Sequence, residues 1–240
     1  MRFYDIHTHH PSRYPEDIAI LNYIIPAAGA GSHNQEPESS VSKGDVACPL
    51  CDHASAAGTG QFFSVGIHPC YIYNVEEQLA ELERLAADPR VVAIGECGLD
   101  KLATTPLKDQ QLLLKRLAAF PEKLRSFFII HCVKAWAELI EVRKEVKPSV
   151  PWVIHGFRGN GELAKQLLKQ GFYLSFGEYF HPEAVRAAWP DRLFAETDDR
   201  EIDIRLVYAR LAESLSLPVG QLAWQIEQNI RPLSPSFAEE

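Results

Sequence analysis

An α/β barrel of eight parallel strands, the TIM-type (β/α)8 fold, is predicted by three observations. Eight short runs rich in apolar, β-branched and aromatic residues recur along the chain. Helical patterns separate most of them. A length of 240 residues with 46% hydrophobic and 23% charged residues is enough to bury the core of one barrel-sized domain. Runs that are apolar throughout suit parallel strands covered on both faces. The runs are FYDIH from Phe3, AILNYII from Ala19, FFSVGI from Phe62, VVAIGE from Val91, FFIIH from Phe127, WVIH from Trp152, FYLSF from Phe172 and LFAET from Leu193.

Start and stop signals mark the helices between them. Asn74 followed by Glu77 has the spacing of a capping box, and Leu79, Leu82, Leu85 and Ala86 then share one face. Asn160 is expected to cap a helix with Leu163, Leu167 and Leu168 on its apolar side, ending near Gly171. A further amphipathic helix is expected over Trp136, Leu139 and Ile140.

The pattern breaks twice. Pro11 and Pro15 in HPSRYPED leave too short and too proline-rich a link for a crossover helix, so the first helix of the barrel is expected to be missing. Residues 26–61, after the second strand, include the low-complexity run AAGAGSHNQEPESSVSKGD without an apolar period and read as a flexible insertion. One domain over 1–232 with a disordered tail over 233–240 is the expected organisation.

Charge and composition exclude several roles. The 32 Asp and Glu against 24 Lys and Arg leave a formal charge of -8, which repels polyanions, so tight duplex DNA binding is not expected. No apolar stretch approaches the ~20 residues a bilayer span needs, and MRFYDIHTHH lacks the basic and apolar regions of a signal peptide, which points to a cytoplasmic protein without membrane association. An odd count of five cysteines in a chain of this length reads as reduced thiols.

The informative pattern is where polar residues fall. His7, His9, His68, Glu96, His131, His155 and Asp198 all sit at or just past the carboxyl ends of the predicted strands, and in a parallel barrel those ends converge on one face. His7 and His9 are two apart on a strand, so both side chains point the same way and can grip one cation, while His10 points elsewhere. Buried without a metal, the same groups would be desolvated at real cost. Imidazole and carboxylate without thiolate suit zinc, manganese or a magnesium-like ion. Glu96 can bridge two ions, leaving His7, His9 and Asp198 for one and His131 and His155 for the other, so one or two divalent ions are expected.

The ordered series DIHTHH, SVGIHP, AIGECGLD, IIHCVKA, WVIHGFRGN, GFYLSFG and FAETDD, between Phe3 and Asn229, resembles the TatD family of metal-dependent hydrolases and deoxyribonucleases in the amidohydrolase superfamily. The resemblance implies a barrel hydrolase with one or two divalent ions acting on phosphoester bonds, including 3'-to-5' exonuclease action on single-stranded DNA or RNA ends. It implies His7, His9, Glu96, His131, His155 and Asp198 as metal ligands and His68 in GIHP as a substrate-facing histidine. Asp198 is the candidate general base, with Glu96 and His68 beside it in the catalytic set. Asp100 in GLD reads either as a partner that orients a ligand or water or as a helix-start cap.

Two departures from the family pattern bear on substrate. Cys70 stands where a second His or an acidic residue is usual after GIHP, and Val133 where an Arg is common after His131. Both remove polar contacts. Lys101, Lys134, Arg158 and Arg200 follow the ligand strands and are candidates to replace them as phosphate contacts, Arg158 and Lys134 foremost. Tyr71, Tyr73, Phe157 and Tyr179 lie near rim loops, where packing is the default role.

Other signals carry less. CPLC, Cys48 to Cys51 with His53 close by, has the spacing of half a zinc site, but no second CxxC follows and a solvated loop is expected. Cys97 and Cys132 follow Glu96 and His131, so alternation should turn them into the core. His33 and His181 have no partner at a useful spacing. GFRGN lacks the phosphate-loop pattern and implies no nucleotide cofactor. An amide or lactone hydrolase of the same superfamily is the second enzyme reading, although Glu96 stands where a carboxylated lysine is common, and a non-catalytic metal-binding scaffold is the third.

Overall fold

Strands form where the eight apolar runs fall. In the computed structural model, which describes residues 1–25, 61–119, 127–233 and 237, they are β1 (Tyr4–Thr8), β2 (Ile18–Ile24), β3 (Gln61–Gly66), β4 (Val91–Asp100), β5 (Phe127–Val133), β6 (Trp152–Ile154), β7 (Tyr173–Phe176) and β8 (Leu193–Ala195). They pair in chain order and all in parallel. The described helices are α1 (Val75–Leu85), α2 (Leu107–Ala118), α3 (Trp136–Val146), α4 (Gly161–Lys169), α5 (Pro182–Ala188), α6 (Ile204–Leu215) and α7 (Val219–Ile230). Residues 9–17 join β1 to β2 without a helix, as the two prolines predict.

Each helix turns its apolar face inward. Leu79, Leu82 and Leu85 of α1, Leu139 and Ile140 of α3 and Leu167 of α4 are buried in one core with the strand residues Phe127, Trp152 and Phe194. Asn160 caps α4 by accepting from the Leu163 N–H at 3.0 Å. Asn74 stands at the N-cap of α1 but its side chain makes no capping bond, which corrects the capping-box expectation. Gln78 secures that turn, accepting from the Tyr73 N–H at 3.0 Å and donating to the Tyr71 carbonyl at 2.8 Å. Glu76 and Glu77 place negative charge at the positive end of the helix dipole.

The barrel closes between β8 and β1, where the ladder is reduced to one bridge between Thr8 and Asp198. The His9 N–H donates to the Asp198 carbonyl at 2.9 Å and the Asp198 N–H to the His7 carbonyl at 3.0 Å. Side chains complete the seam. Asp5 accepts from the Thr197 N–H at 3.0 Å and its hydroxyl at 2.6 Å. The Tyr208 hydroxyl of α6 accepts from the Tyr4 N–H at 3.1 Å and donates to the Tyr4 carbonyl at 3.0 Å. One phenol thus satisfies both backbone groups that a neighbouring strand would otherwise pair.

The expected insertion at 26–61 and the CPLC motif lie outside the described residues, save for Gln61, which opens β3. The disordered-tail expectation is corrected at two positions, since Leu233 and Phe237 are buried and the Phe237 ring sits edge-on to Phe62 at 5.1 Å. The other residues after 233 are outside the described set. Cys70, Cys97 and Cys132 are free thiols. No described helix is long and apolar enough to cross a membrane.

Tyr208→Phe should leave both Tyr4 backbone groups unpaired in a dry seam. A loss of roughly 1–3 kcal/mol and a Tm lower by roughly 2–10 °C are expected by thermal denaturation, and an unchanged Tm would refute the role given to the hydroxyl. A methyl at Gly66 would press on the backbone of Gly95 and Glu96, with the Glu96 carbonyl 2.6 Å from the added Cβ. Gly66→Ala should therefore destabilise by about 1–3 kcal/mol, read in the same measurement.

Candidate metal centre

Every strand-end residue singled out in the sequence faces the same mouth of the barrel, and Glu96 lies at its middle. This carboxylate is buried, and four imidazoles surround it. Oε1 lies 2.8 Å from His131 Nδ1, 2.8 Å from His155 Nε2 and 3.4 Å from His68 Nε2. Oε2 lies 3.8 Å from His7 Nε2. Asp198 takes the other side of His7, its Oδ1 3.4 Å from His7 Nε2 and 3.7 Å from His9 Nε2. The donor atoms of His7, His9 and Asp198 lie within 4.8 Å of one another, as do those of His7, Glu96 and His155.

Local backbone features bring this about. β4 and β5 run on past their functional residues, pairing Gly98 with His131 and Asp100 with Val133. The extension corrects the placement of Glu96 and His131 at strand ends, and it carries Asp100 to the outer side of His131. Their register shifts between Ile94 and Cys97. Cys97 is fully buried, its Sγ 3.9 Å from the Ile129 carbonyl, and Cys132 is also buried. Burial pushes the Cys132 thiol up to about 12, so neither the geometry nor the ionisation favours thiolate ligation. Gly156 has a left-handed φ of +57°, and its N–H donates to Glu196 Oε1 at 2.5 Å. The loop after β6 thereby passes close to the cluster, as the glycines of GFRGN suggest.

Outer acceptors set which ring nitrogen faces inward. Asp100 Oδ2 lies 3.1 Å from His131 Nε2, which places a proton there and leaves the Nδ1 lone pair directed at the centre. Glu196 Oε1 lies 3.7 Å from His155 Nδ1, beyond hydrogen-bond distance, so it acts on that ring through its charge, which favours a proton on Nδ1. His68 is the reverse case. Its Nδ1 accepts from the Cys70 N–H at 3.1 Å, so the proton of the neutral ring belongs on Nε2, which faces Glu96 as a donor. Distance groups His68 with Glu96 and His131, but its hydrogen bonding suits donation to an oxygen better than ligation. Asp100 also accepts from the Leu102 N–H at 2.7 Å, so its two sequence readings both apply.

Electrostatics favour a cation at the centre. Burial opposes ionisation of Glu96, yet His155, His131 and His68 hold its carboxyl well below the usual range. Burial likewise opposes a charged His155, and Glu96 and Glu196 nevertheless hold it well above an ordinary imidazole. Asp198 stays low, at about 2, because His7 and His155 outweigh its burial. Among the described residues, both nitrogens of the fully buried His7 lack a hydrogen-bond partner, as do His155 Nδ1 and Glu196 Oε2. Unpartnered imidazole nitrogens beside two carboxylates fit a divalent ion of the zinc, manganese or magnesium type.

Three residues of the site escaped the sequence reading. Asn22 of β2 donates from Nδ2 to Glu96 Oε2 at 3.3 Å and accepts the Glu96 N–H at 3.1 Å and the Ser64 hydroxyl at 3.1 Å. It was visible as the lone amide in AILNYII. Glu196 sits within the ETD string, two before Asp198, and Asp5 stands two before His7 on β1. Of the candidate phosphate contacts, Lys101 is paired with Glu138 at 2.6 Å and Arg200 with Glu178 at 3.0 Å, whereas Lys134 and Arg158 are exposed at the rim. Phe157 is buried core.

Comparison with known proteins agrees with this geometry. The chain is 33% identical over 147 residues to the uncharacterized metal-dependent hydrolase YabD of Bacillus subtilis, covering 57% of this chain and 58% of that protein. It is 31% identical over 172 residues to the 3'-5' ssDNA/RNA exonuclease TatD of Cronobacter turicensis, covering 66% and 63%. The matches thus span between half and two thirds of those relatives. Among solved structures, the TatD homologue YjjV of Escherichia coli superposes with a TM-score of 0.75 at 20% identity, over 97% of this chain and 98% of the other, which shows the shared fold. The model of the TatD related DNase family matches residues 5–233, a stretch that takes in every strand but for the first residue of β1 and every residue of the cluster, and the chain belongs to that family.

Proposed function

We propose that the barrel mouth is a divalent-metal site that hydrolyses phosphoester bonds, with single-stranded DNA or RNA ends as the polymeric substrate. The observation that carries the reading is the sharing of Glu96, whose Oε1 meets His131 and His155 while Oε2 faces His7. In this assignment His7, His9 and Asp198 would hold one ion and His131 and His155 a second, with Glu96 available to both. The exonuclease name of the Cronobacter relative supports the choice of substrate.

Divalent ions bound there supply Lewis-acid charge, which makes water acidic near neutral pH and offsets charge growing on phosphoryl oxygens. The protein groups do the positioning and proton transfer. Asp198, ionised and partly open to the mouth, accepts the proton of the attacking water at a carboxylate oxygen. His68 donates from Nε2 to a phosphoryl oxygen, held in that tautomer by the Cys70 N–H. Asp100 and Glu196 fix the rings of His131 and His155. Lys134 and Arg158 offer cationic contacts at the rim. Glu96 in place of a carboxylated lysine favours phosphoesters over amides and lactones.

Purified protein with manganese should hydrolyse bis-p-nitrophenyl phosphate and shorten a 5'-labelled single strand from its 3' end, and chelation should abolish both. Asp198→Asn should lower kcat by about 10²- to 10⁴-fold. Metal-dependent cleavage of p-nitrophenyl acetate alone would move the assignment to an amide or lactone hydrolase, and no turnover of any substrate would favour the scaffold. Glu196→Gln should weaken metal binding about 10- to 100-fold by calorimetric titration, and unchanged affinity would remove the role given to Glu196.

A further inference from the structure

An exposed tyrosine stands between two arginines on the rim above β6, β7 and β8. Tyr179, in the loop from β7 to α5, is 52% exposed. Arg200 steadies it, donating from Nη2 to the Tyr179 hydroxyl at 3.2 Å and to Glu178 Oε2 at 3.0 Å, with its guanidinium carbon 5.5 Å from the ring centroid. The guanidinium carbon of Arg158 lies 5.9 Å from the same centroid. Among the described residues Arg158 makes no hydrogen bond or ion pair, so its donors face solvent. Arg158 follows His155 by three residues and Arg200 follows Asp198 by two, which sets the group beside the metal centre.

Packing does not account for Tyr179. The ring below is supplied by Phe157 and Phe176, edge-to-face at 5.9 Å, and both are buried. Glu178, which precedes the ring in the chain, is matched by Arg200 and by Arg210 at 3.5 Å, so it does not present an unbalanced negative charge. A cleft of about 400 Å³ opens beside the ring, lined by Glu178, Tyr179, Phe180, Arg210, Glu213 and Ser214. A flat, fixed, solvent-facing ring next to a free guanidinium matches the way single strands are held, by base stacking and phosphate contact. A base inserted between them needs two contacts of ~3.5 Å each, about 1 Å more than the present gap, and the unpaired Arg158 is the side free to move.

We propose that Tyr179 is a nucleobase platform and Arg158 its phosphate contact, together seating the last nucleotides of a single-stranded nucleic acid at the metal centre. This deepens the phosphoester reading and rests on it. The test is binding of a 5'-labelled oligodeoxythymidine by fluorescence anisotropy, in the Asp198→Asn background with manganese so that turnover is suppressed. A second strand, identical but with abasic 3'-terminal nucleotides, is measured beside it. Tyr179→Ala should weaken binding of the base-bearing strand about 5- to 100-fold, the range for one base stacked on an aromatic ring. Tyr179→Phe should retain it, and the abasic strand should bind weakly with or without Tyr179. Equal affinity for the two strands, no effect of Tyr179→Ala, or no binding of the base-bearing strand would overturn the platform. Wild-type turnover of bis-p-nitrophenyl phosphate, which has no base, is assayed in parallel. Turnover with base-independent binding sinks the platform and leaves the hydrolase, whereas base-dependent binding without turnover does the opposite.

Discussion

A carboxylate buried among imidazoles is the constraint on which the site depends. Glu96 has lost nearly all contact with water, and an ion in that position is tenable only if charge or hydrogen bonds replace its hydration. Four histidines from β1, the β3 loop, β5 and the end of β6 meet that need from four directions. Asn22 adds donation from below, at the side chain of Glu96, and acceptance of its backbone N–H. A single glutamate thus ties five segments of the barrel to one point. The same arrangement that offsets its desolvation is the arrangement a shared bridging ligand requires.

Around that centre, the outer contacts decide what each imidazole can do. His131 and His68 are both beside Glu96 Oε1, yet Asp100 accepts from the far nitrogen of one and the Cys70 N–H donates to the far nitrogen of the other. The first ring therefore points a lone pair inward and the second points a proton. Two chemically identical side chains acquire opposite roles from one hydrogen bond each. The rim adds the next layer, where Arg158 and Tyr179 remain exposed while Lys101 and Arg200 are engaged with carboxylates.

The weakest part of the barrel lies next to its centre. Between β8 and β1, among the described residues, only one bridge survives, and it joins Thr8, which stands between His7 and His9, to Asp198, the candidate base. Asp5, Thr197 and Tyr208 close the seam with side chains where a strand ladder would otherwise do so. A short β8 leaves Glu196 and Asp198 on irregular backbone, Asp198 at a left-handed φ of +57°, and this freedom lets both carboxylates turn toward the same cavity.

Period and residue type by themselves determined the eight strands, the missing first helix and the shared face of His7, His9, His68, Glu96, His131, His155 and Asp198. Apolar parallel strands and their carboxyl-end convergence are written locally, in runs of a few residues each. The silent cap at Asn74, the buried Phe237 and the roles of Asn22 and Glu196 were not legible there, because each depends on a partner far away in the chain. Tertiary structure alone decided which oxygen of Glu96 meets which histidine, which nitrogen of His131 and of His68 carries the proton, and that Tyr179 stays exposed while Phe157 does not. Those outcomes are set by the closure of the barrel, which fixes distances of a few ångströms between residues that local pattern leaves unrelated.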